Sequence, residues 1–598
     1  MRLAEALVEA LKLLDVRYVF GVSGANIEHL HDAIHRLGEG RLRSVLAKGE
    51  AGAAFMADGH ARVHRSLAVC ASTSGGGMVN LIAGLAESYQ SSSPVLAIVG
   101  QPPTSLRGRG AFQDSSGVGR SVSALGLLGA LTKYVRELTD PEEFWPSLDA
   151  AIIAALSNRQ GSSALLIPRD LYEREVPAPA ADWPARILGR AKPPPVAQES
   201  LVRVLELVRG ASRPMLLIGQ GIRRSRNPDA VRSFAERTRI PVATTMSARA
   251  EYPNDAPNYL GVLGAAGHPS VQSYLCDEAD LVLAVGASMN AMTSAPLFRS
   301  ARGLAGKTLI VVNPNLDDVQ RALGASSMAP NRAGDGSRLP ALLVGVEADA
   351  GPSFETLNEL WDREPFVVAE LERECLQFTP TLARELKGAG QPPSDLLQSD
   401  ALGVLARYLP ETGHVLYDAG NCAAAALHYL PVPTGLSATI ALGMGGMGYA
   451  VAASVGVQLG SPAGSRTIVF AGDGAFFVSG FEVHTAVELE LPILYVIFNN
   501  SMHGMCVTRQ QLYFDARIES STYGYVDVAQ VARGFASPER LWVGKATTVY
   551  ELEAALQEYA QASNRPGVLE IVTAREQLPP FSPFLPTGAG TQAMVTGK

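Results

Sequence analysis

The sequence predicts an α/β chain made of three doubly wound parallel-sheet domains. Length is the first observation: 598 residues exceed one compact domain, and length alone points to about three to five. Second, short apolar runs alternate with amphipathic, helix-like segments, as expected of strands covered by helices. Third, that alternation falls into three blocks, at 1–175, 198–345 and 396–575. A Pro- and Ala-rich stretch at 174–197, read as a linker, and a polar, mixed segment at 346–395 separate them.

In the first block, Leu3, Leu7, Leu11 and Leu14 mark one helix face, and Tyr18, Val19 and Phe20 begin a strand. Apolar runs at 67–70, 94–99 and 164–167 add further strands. The second block has strand-like runs at 214–218, 281–285 and 308–312. In the third block, a strand at 467–470, a helix-like segment at 481–489 and a strand at 492–498 follow one another. The first and third blocks share a size and an alternation, which hints at two related modules. The tail from Gln577 is expected to lack regular structure at least in part.

Composition excludes several classes. A formal charge of −8 and no basic stripe argue against nucleic acid as a partner. Cys70, Cys276, Cys375, Cys422 and Cys506 are scattered and form no CxxC pair, which argues against a disulfide framework or zinc cluster and for a reducing, cytoplasmic setting. The N-terminal residues form a helix pattern with acidic members, unlike a secretory signal. Between residues 419 and 465 there is no Asp, Glu, Lys or Arg. Within it, 438–460 is long enough to span a membrane, but Gly, Ser and Thr crowd it, so it reads as a buried, glycine-lined ligand wall and not as a membrane segment.

The most specific chemistry lies in Gly472, Asp473 and Gly474, followed after 24 residues by Asn499 and Asn500. The flanking runs place Asp473 and Asn500 at the carboxyl ends of two parallel strands, where open α/β sheets bind ligands. A carboxylate and an amide oxygen are hard donors suited to Mg²⁺, which completes its shell with phosphate oxygens and water. The glycines let backbone approach a phosphate, and a following helix N-terminus favours negative charge. A metal and diphosphate site follows.

This spacing resembles the thiamine diphosphate signature, and the whole chain is similar in order and length to the acetolactate synthase, pyruvate oxidase and benzaldehyde lyase group. The resemblance implies a pyrimidine-binding domain at 1–175, a central domain at 198–345 and a diphosphate-binding domain at 396–575. It implies that Glu50 bonds the cofactor's aminopyrimidine ring, with neighbours Ala51, Ala53, Ala54 and Phe55 expected to bury the carboxyl and raise its pKa. Gly75 and Asn80 match a glycine-rich turn facing the cofactor. Gly420, Asn421 and Cys422 match a loop against the diphosphate, joined by Gly472, Gly474 and Ala475. Gly445 and Met447 match the segment that supports the bent cofactor, Met447 by bulk beneath the two rings. Asp473, Asn500 and the Met502 carbonyl become the metal ligands. Gln113 and His503 join Glu50 and Met447 as catalytic residues, and Asn26, Phe112 and Arg509 as substrate contacts. Because the glutamate of one subunit meets the diphosphate domain of another in this family, a homodimer or homotetramer is implied.

Departures narrow the reading. Gly49 stands where the family has His, and Gly76 where it has Pro. The flavin-binding stretch of acetolactate synthases is replaced by an uncharged run at 286–292, so FAD is not expected. No tryptophan follows the metal loop in 504–513. The implied activity is a thiamine diphosphate- and Mg²⁺-dependent carboligase that decarboxylates a 2-oxo acid, pyruvate first, and transfers the acyl-anion equivalent to a second carbonyl. A 2-oxo acid decarboxylase or acyloin lyase is the alternative.

Overall fold

In the computed structural model, residues 1–192, 195–294, 303–317, 319, 340–368, 375–377, 381–382, 394, 396–574 and 577–584 are described. The first sheet is built from β1 (Tyr18–Gly21), β2 (Arg43–Leu46), β3 (Ala68–Ser72), β4 (Val95–Gln101), β5 (Val135–Glu137) and β6 (Ser163–Pro168). The second uses β7 (Pro214–Ile218), β8 (Val242–Thr245), β9 (Tyr259–Leu263), β10 (Leu281–Val285), β11 (Thr308–Asn313) and β12 (Leu342–Glu347). A short β13 (Thr381–Leu382) precedes the third sheet, which comprises β14 (Gly413–Tyr417), β15 (Leu436–Ile440), β16 (Arg466–Gly472), β17 (Ile493–Asn499), β18 (Trp542–Ala546) and β19 (Gly567–Val572). Central strands such as β3, β4, β10 and β17 are buried along their whole length, hence continuous apolar runs and not alternation.

All three sheets are parallel and doubly wound. Strand orders are β2-β1-β3-β4-β6-β5, β12-β11-β10-β7-β8-β9 and β15-β14-β16-β17-β19-β18. The first and third therefore repeat one order, and the central sheet has the other common doubly wound order, with its switch point between β7 and β10.

Three stretches hold elements that the sequence reading did not place. The expected linker holds a helix, Trp183–Arg190, whose buried Trp183 and Ile187 join the first core and whose Trp183 indole donates to Asp149 at 2.7 Å. Two apolar residues four apart make that face, and proline in the first turn costs no helical hydrogen bond. The polar segment holds the helix Ala350–Arg363, whose Phe354 stacks edge-on against Phe234 in the second core. In the tail, β20 (Gln577–Leu578) pairs antiparallel with β13. Residues 585–598 lie outside the described residues.

The charge-free stretch forms the helix Asn421–Tyr429, β15, a glycine loop and the helix Tyr449–Leu459. Among the described residues no helix is long and apolar enough to cross a membrane. Instead, Tyr449–Leu459 packs against Glu50–His64 of the first unit. Small residues permit the approach: a Cβ on Gly59 would come within 2.7 Å of the Ala453 carbonyl, and one on Gly456 would overlap the Met56 carbonyl. A buried ionic network crosses the same seam. Arg62, fully buried, donates to Asp58 at 2.6 Å, Glu87 at 2.7 Å and the Ile440 carbonyl at 3.0 Å. The Tyr449 hydroxyl donates to Asp58 at 2.6 Å.

Candidate active site

β14, β16 and β17 are neighbours, and their carboxyl ends bring together most residues singled out in the third block. A short helix, Asp473–Ser479, starts at Asp473 itself, earlier than the helix expected near 481–489, which is present as Glu482–Glu488. The Asp473 carboxyl accepts from the Gly474 amide at 3.0 Å and the Ser501 amide at 2.8 Å, with the Tyr523 hydroxyl lowering its pKa further. Burial outweighs these donors and pushes it up to about 6. Next to it, Ser501 takes a left-handed φ of 56°, a conformation a non-glycine residue holds only under constraint. Met502 is buried and bridges to Thr522, and the His503 amide donates to the Ser521 carbonyl at 2.9 Å.

Two glycines open a cradle here. A Cβ on Gly474 would lie 3.0 Å from the His503 ring, and one on Gly504 would lie 2.8 Å from the Asn421 amide nitrogen and 3.3 Å from that of Asn500. Asn421 is buried, yet its Oδ1 has no hydrogen-bond partner among the described residues. A buried carboxyl, an orphaned amide oxygen and cleared backbone fit a hydrated cation and the diphosphate of a cofactor. A Cβ on Gly472 would lie 3.8 Å from the Cys422 sulfur, and burial raises the Cys422 thiol. Ala475 is buried behind Asp473. Among the described residues no group of three or more His, Cys, Asp and Glu side chains forms a metal cluster. The site instead offers one carboxylate with amide and carbonyl oxygens.

The loop at 443–448 hangs between two carboxylates. Asp418, at the end of β14, accepts from the Gly448 amide at 2.8 Å and the Ala450 amide at 2.7 Å. Glu87, from the first unit, accepts from the Met444 amide at 2.6 Å and the Gly443 amide at 3.3 Å. Gly445 has φ of 64° with open space around its Cα. Met447 is 41 % exposed, so it does not fill the core of this chain.

The first-block residues meet at the carboxyl edge of the first sheet. Glu50 opens the helix Glu50–His64 and accepts from Asn80 Nδ2 at 3.0 Å. Expected to be buried, it is only half-buried: Ala53, Ala54 and Phe55 turn into the core, while the first helical position faces the open end of the sheet. Gly49 and Gly76 have no neighbours within 4 Å of a would-be Cβ, so neither glycine is imposed by crowding. Gly75 needs its φ of 64°, and a Cβ there would press on Gln113 at 2.9 Å. Gln113, also left-handed at 62°, accepts from the Thr73 hydroxyl at 3.1 Å. Asn26 donates to Ser74 at 2.8 Å. Phe112 is 82 % exposed beside this group, and Arg509 is exposed and donates to the Cys506 sulfur at 3.2 Å.

Sequence reasoning missed Asp418, Glu87, Glu482 and Tyr523. Asp418 had a signal, since it ends an apolar strand as Asp473 does. The others act across 30 or more residues from another element and have none. A separate cleft of about 560 Å³ lies at the switch point of the central sheet, lined by Gly221, Arg224, Gly286 and Asn313 among others.

Comparison with known proteins agrees with this arrangement. Residues 1–119 match the thiamine pyrophosphate enzyme N-terminal TPP-binding domain, 201–328 the central domain and 418–571 the C-terminal TPP-binding domain. Relatives include the probable acetolactate synthase large subunit of Methanocaldococcus jannaschii, 27 % identical over 590 residues (98 % of this chain, 94 % of that protein). The acetolactate synthase isozyme 1 and isozyme 2 large subunits of Escherichia coli are each 27 % identical, over 602 residues (99 % of this chain, 97 % of that protein) and 594 residues (99 % and 99 %). Fold and site thus define a thiamine diphosphate enzyme. More particularly, the chain belongs to the acetolactate synthase-like family.

Proposed function

We propose that this chain is a thiamine diphosphate- and Mg²⁺-dependent carboligase that decarboxylates a 2-oxo acid, pyruvate first, and joins the acyl-anion equivalent to a second carbonyl. One observation carries the proposal: two sheets of identical strand order end in complementary groups, Glu50 with Asn80 on one and Asp473 with Asn421 on the other. When bound, thiamine diphosphate supplies the electron sink for decarboxylation.

The chain's own residues hold and orient it. Asp473, Asn500 and the Met502 carbonyl would ligate the cation, while Gly420, Asn421, Cys422, Gly472, Gly474 and Ala475 would line the diphosphate. Met447, Gly445, Gly75 and Asn80 would hold the rings. Glu50 holds a proton against the aminopyrimidine, positioned by Asn80. Gln113 and His503 face the reacting carbonyl, with Asn26, Phe112 and Arg509 at the substrate side. FAD has no part in this reading, because the run at 286–292 brings no charged group to the central cleft.

Glu50 and Asp473 sit on different units, which supports sites completed between subunits of a homodimer or homotetramer. Met447, Phe477, Val478 and Phe481 are 41 %, 46 %, 58 % and 70 % exposed, an apolar patch such a contact would cover. Five cysteines that form no disulfide among the described residues support a reducing, cytoplasmic setting.

Mass-spectrometric product analysis with thiamine diphosphate, Mg²⁺, pyruvate and a panel of aldehyde and 2-oxo acid acceptors tests the reaction. Acyloin or 2-hydroxy-2-alkyl products are expected. Acetaldehyde alone would overturn ligation in favour of a decarboxylase, and cleavage of an added acyloin would favour a lyase. Full turnover in Glu50→Gln would overturn the proton role of Glu50.

A further inference from the structure

We propose that Glu482 is a positioning residue: reaching from the third unit, it caps the helix that presents Glu50 and so sets the direction of the Glu50 carboxyl. The inference rests on the reading of Glu50 as the group that holds the proton.

The helix Glu50–His64 has no cap of its own. Its N-cap is Gly49, in extended conformation with φ of −164°, and no side chain of the segment satisfies the first amides. Helices leave their first four amides without internal partners, and a residue such as Ser or Asp normally supplies the missing acceptor. Here an acceptor from more than 400 residues away serves the two amides at the entry of the helix, Lys48 before it and the N-cap Gly49. The Lys48 amide donates to Glu482 Oε1 at 3.0 Å, and the Gly49 amide also donates to this carboxylate. The other oxygen accepts from the Thr485 hydroxyl at 2.7 Å, which locks the side chain on its own helix. Glu482 is 3 % exposed, and a buried carboxylate with these three donors is fully engaged. A negative charge at this end of the helix is favoured by the macrodipole.

Gly52 completes the arrangement. It lies in the first turn, and any Cβ there would overlap the Glu482 carboxylate. Mid-helix glycine is unfavourable by about 1 kcal/mol relative to alanine, so helix propensity alone gives no reason for it. The glycine makes room for the cap. Glu50, next after Gly49, then meets Asn80 on the neighbouring helix at 3.0 Å. A small rotation of the capped turn would take the carboxyl away from Asn80 and from the ring it serves.

The test compares Glu482→Ala, Glu482→Gln and Gly52→Ala in the full-length enzyme. Amide hydrogen exchange over residues 48–53 reads the cap without any turnover. Loss of a cap predicts exchange faster by about five- to tenfold in Glu482→Ala and in Gly52→Ala. For turnover, kcat falls about tenfold to a hundredfold in both, with KM for pyruvate within about twofold, as misorientation of a reacting group requires. Glu482→Gln keeps an acceptor for Lys48 and recovers most of both readouts. Gly52→Ala separates this account from plain helix stability, because propensity predicts slower exchange and full kcat. That result, or unchanged exchange in Glu482→Ala, would overturn the proposal, and should Glu482→Ala not fold, Gly52→Ala still decides it. If Glu50→Gln keeps full turnover, the role of Glu50 fails, while the exchange data still judge the cap.

Discussion

Replacing Arg62 by methionine tests the seam between the first and third units. The guanidinium is fully buried and serves three acceptors: Asp58, Glu87 and the Ile440 carbonyl. It also lies 5.1 Å from the centre of the Tyr449 ring. Burial acts to raise the Glu87 carboxyl, but Arg62, the Ser91 hydroxyl and the Met444 amide outweigh it and hold it below the usual carboxylate range. Methionine fills similar volume but leaves two buried carboxylates without their cation. Removing one partner of a buried pair costs about 3–5 kcal/mol, and an unsatisfied buried carbonyl adds about 1–3 kcal/mol. A loss of about 5 kcal/mol is therefore expected at pH 8, a large share of the roughly 5–15 kcal/mol that stabilises a typical protein. Urea unfolding followed by tryptophan fluorescence measures it. The sign of the pH dependence is a second check. Without Arg62, burial dominates at Glu87 and raises its carboxyl, so the variant binds a proton more readily when folded. Its deficit against the parent should shrink as pH falls from 8 toward 5. Adding Asp58→Asn and Glu87→Gln to Arg62→Met should restore most of the stability, since a neutral, packed network is often as stable as a buried ionic one. A loss below about 1 kcal/mol, or a deficit that grows on acidification, would refute the reasoning.

Three further outcomes are expected. His60, His64 and His414 sit together at the same seam, His60 donating toward the Gly456 carbonyl and His64 toward that of Val457. Burial pushes His60 down to about 4 and His414 to about 3, with His64 also lowered, so the unfolded chain takes up these protons first, near pH 6.5. Stability is thus present above that pH and lost as pH falls toward 4, by about 1.4 kcal/mol per pH unit for each histidine, and His60→Gln should flatten the urea-midpoint slope by about one proton. Asn421→Ala should leave the unfolding free energy within about 0.5 kcal/mol, because among the described residues its Oδ1 has no partner to lose, yet weaken thiamine diphosphate binding about tenfold in a calorimetric titration. Gly456→Ala should destabilise the chain by about 1–3 kcal/mol through overlap with the Met56 carbonyl, despite alanine's better helix propensity; a midpoint at or above the parent's would contradict it.

Local signals carried much of the fold and of the site. Apolar runs bounded by turn residues marked β4, β10 and β17 because a strand buried on both faces shows no alternation to confuse. Asp473 was legible because ligand groups follow the strands that aim them. The helix Trp183–Arg190 was not, since its Pro and Ala content masked two apolar residues spaced for one face. Glu50 could be found by its neighbours, but not its exposure, since the apolar residues after it face the core while the first helical position faces the open sheet edge.

Sequence alone thus determined three α/β units, which follow from periodicity within a few dozen residues. For the cation and diphosphate site it offered candidates, Asp473 and Asn500 from their place after two strands and the others from resemblance to thiamine diphosphate enzymes. Tertiary structure alone decided which carboxylates act as staples. Glu87 and Glu482 look like ordinary acidic residues in sequence, and Asp418 shows only that it follows an apolar strand. Their roles arise only where packing buries them against the backbone amides of distant elements, which makes each one a fully engaged acceptor. No periodicity records a partner 356 or 434 residues away, and the physical reason is that burial, not spacing along the chain, selects those contacts.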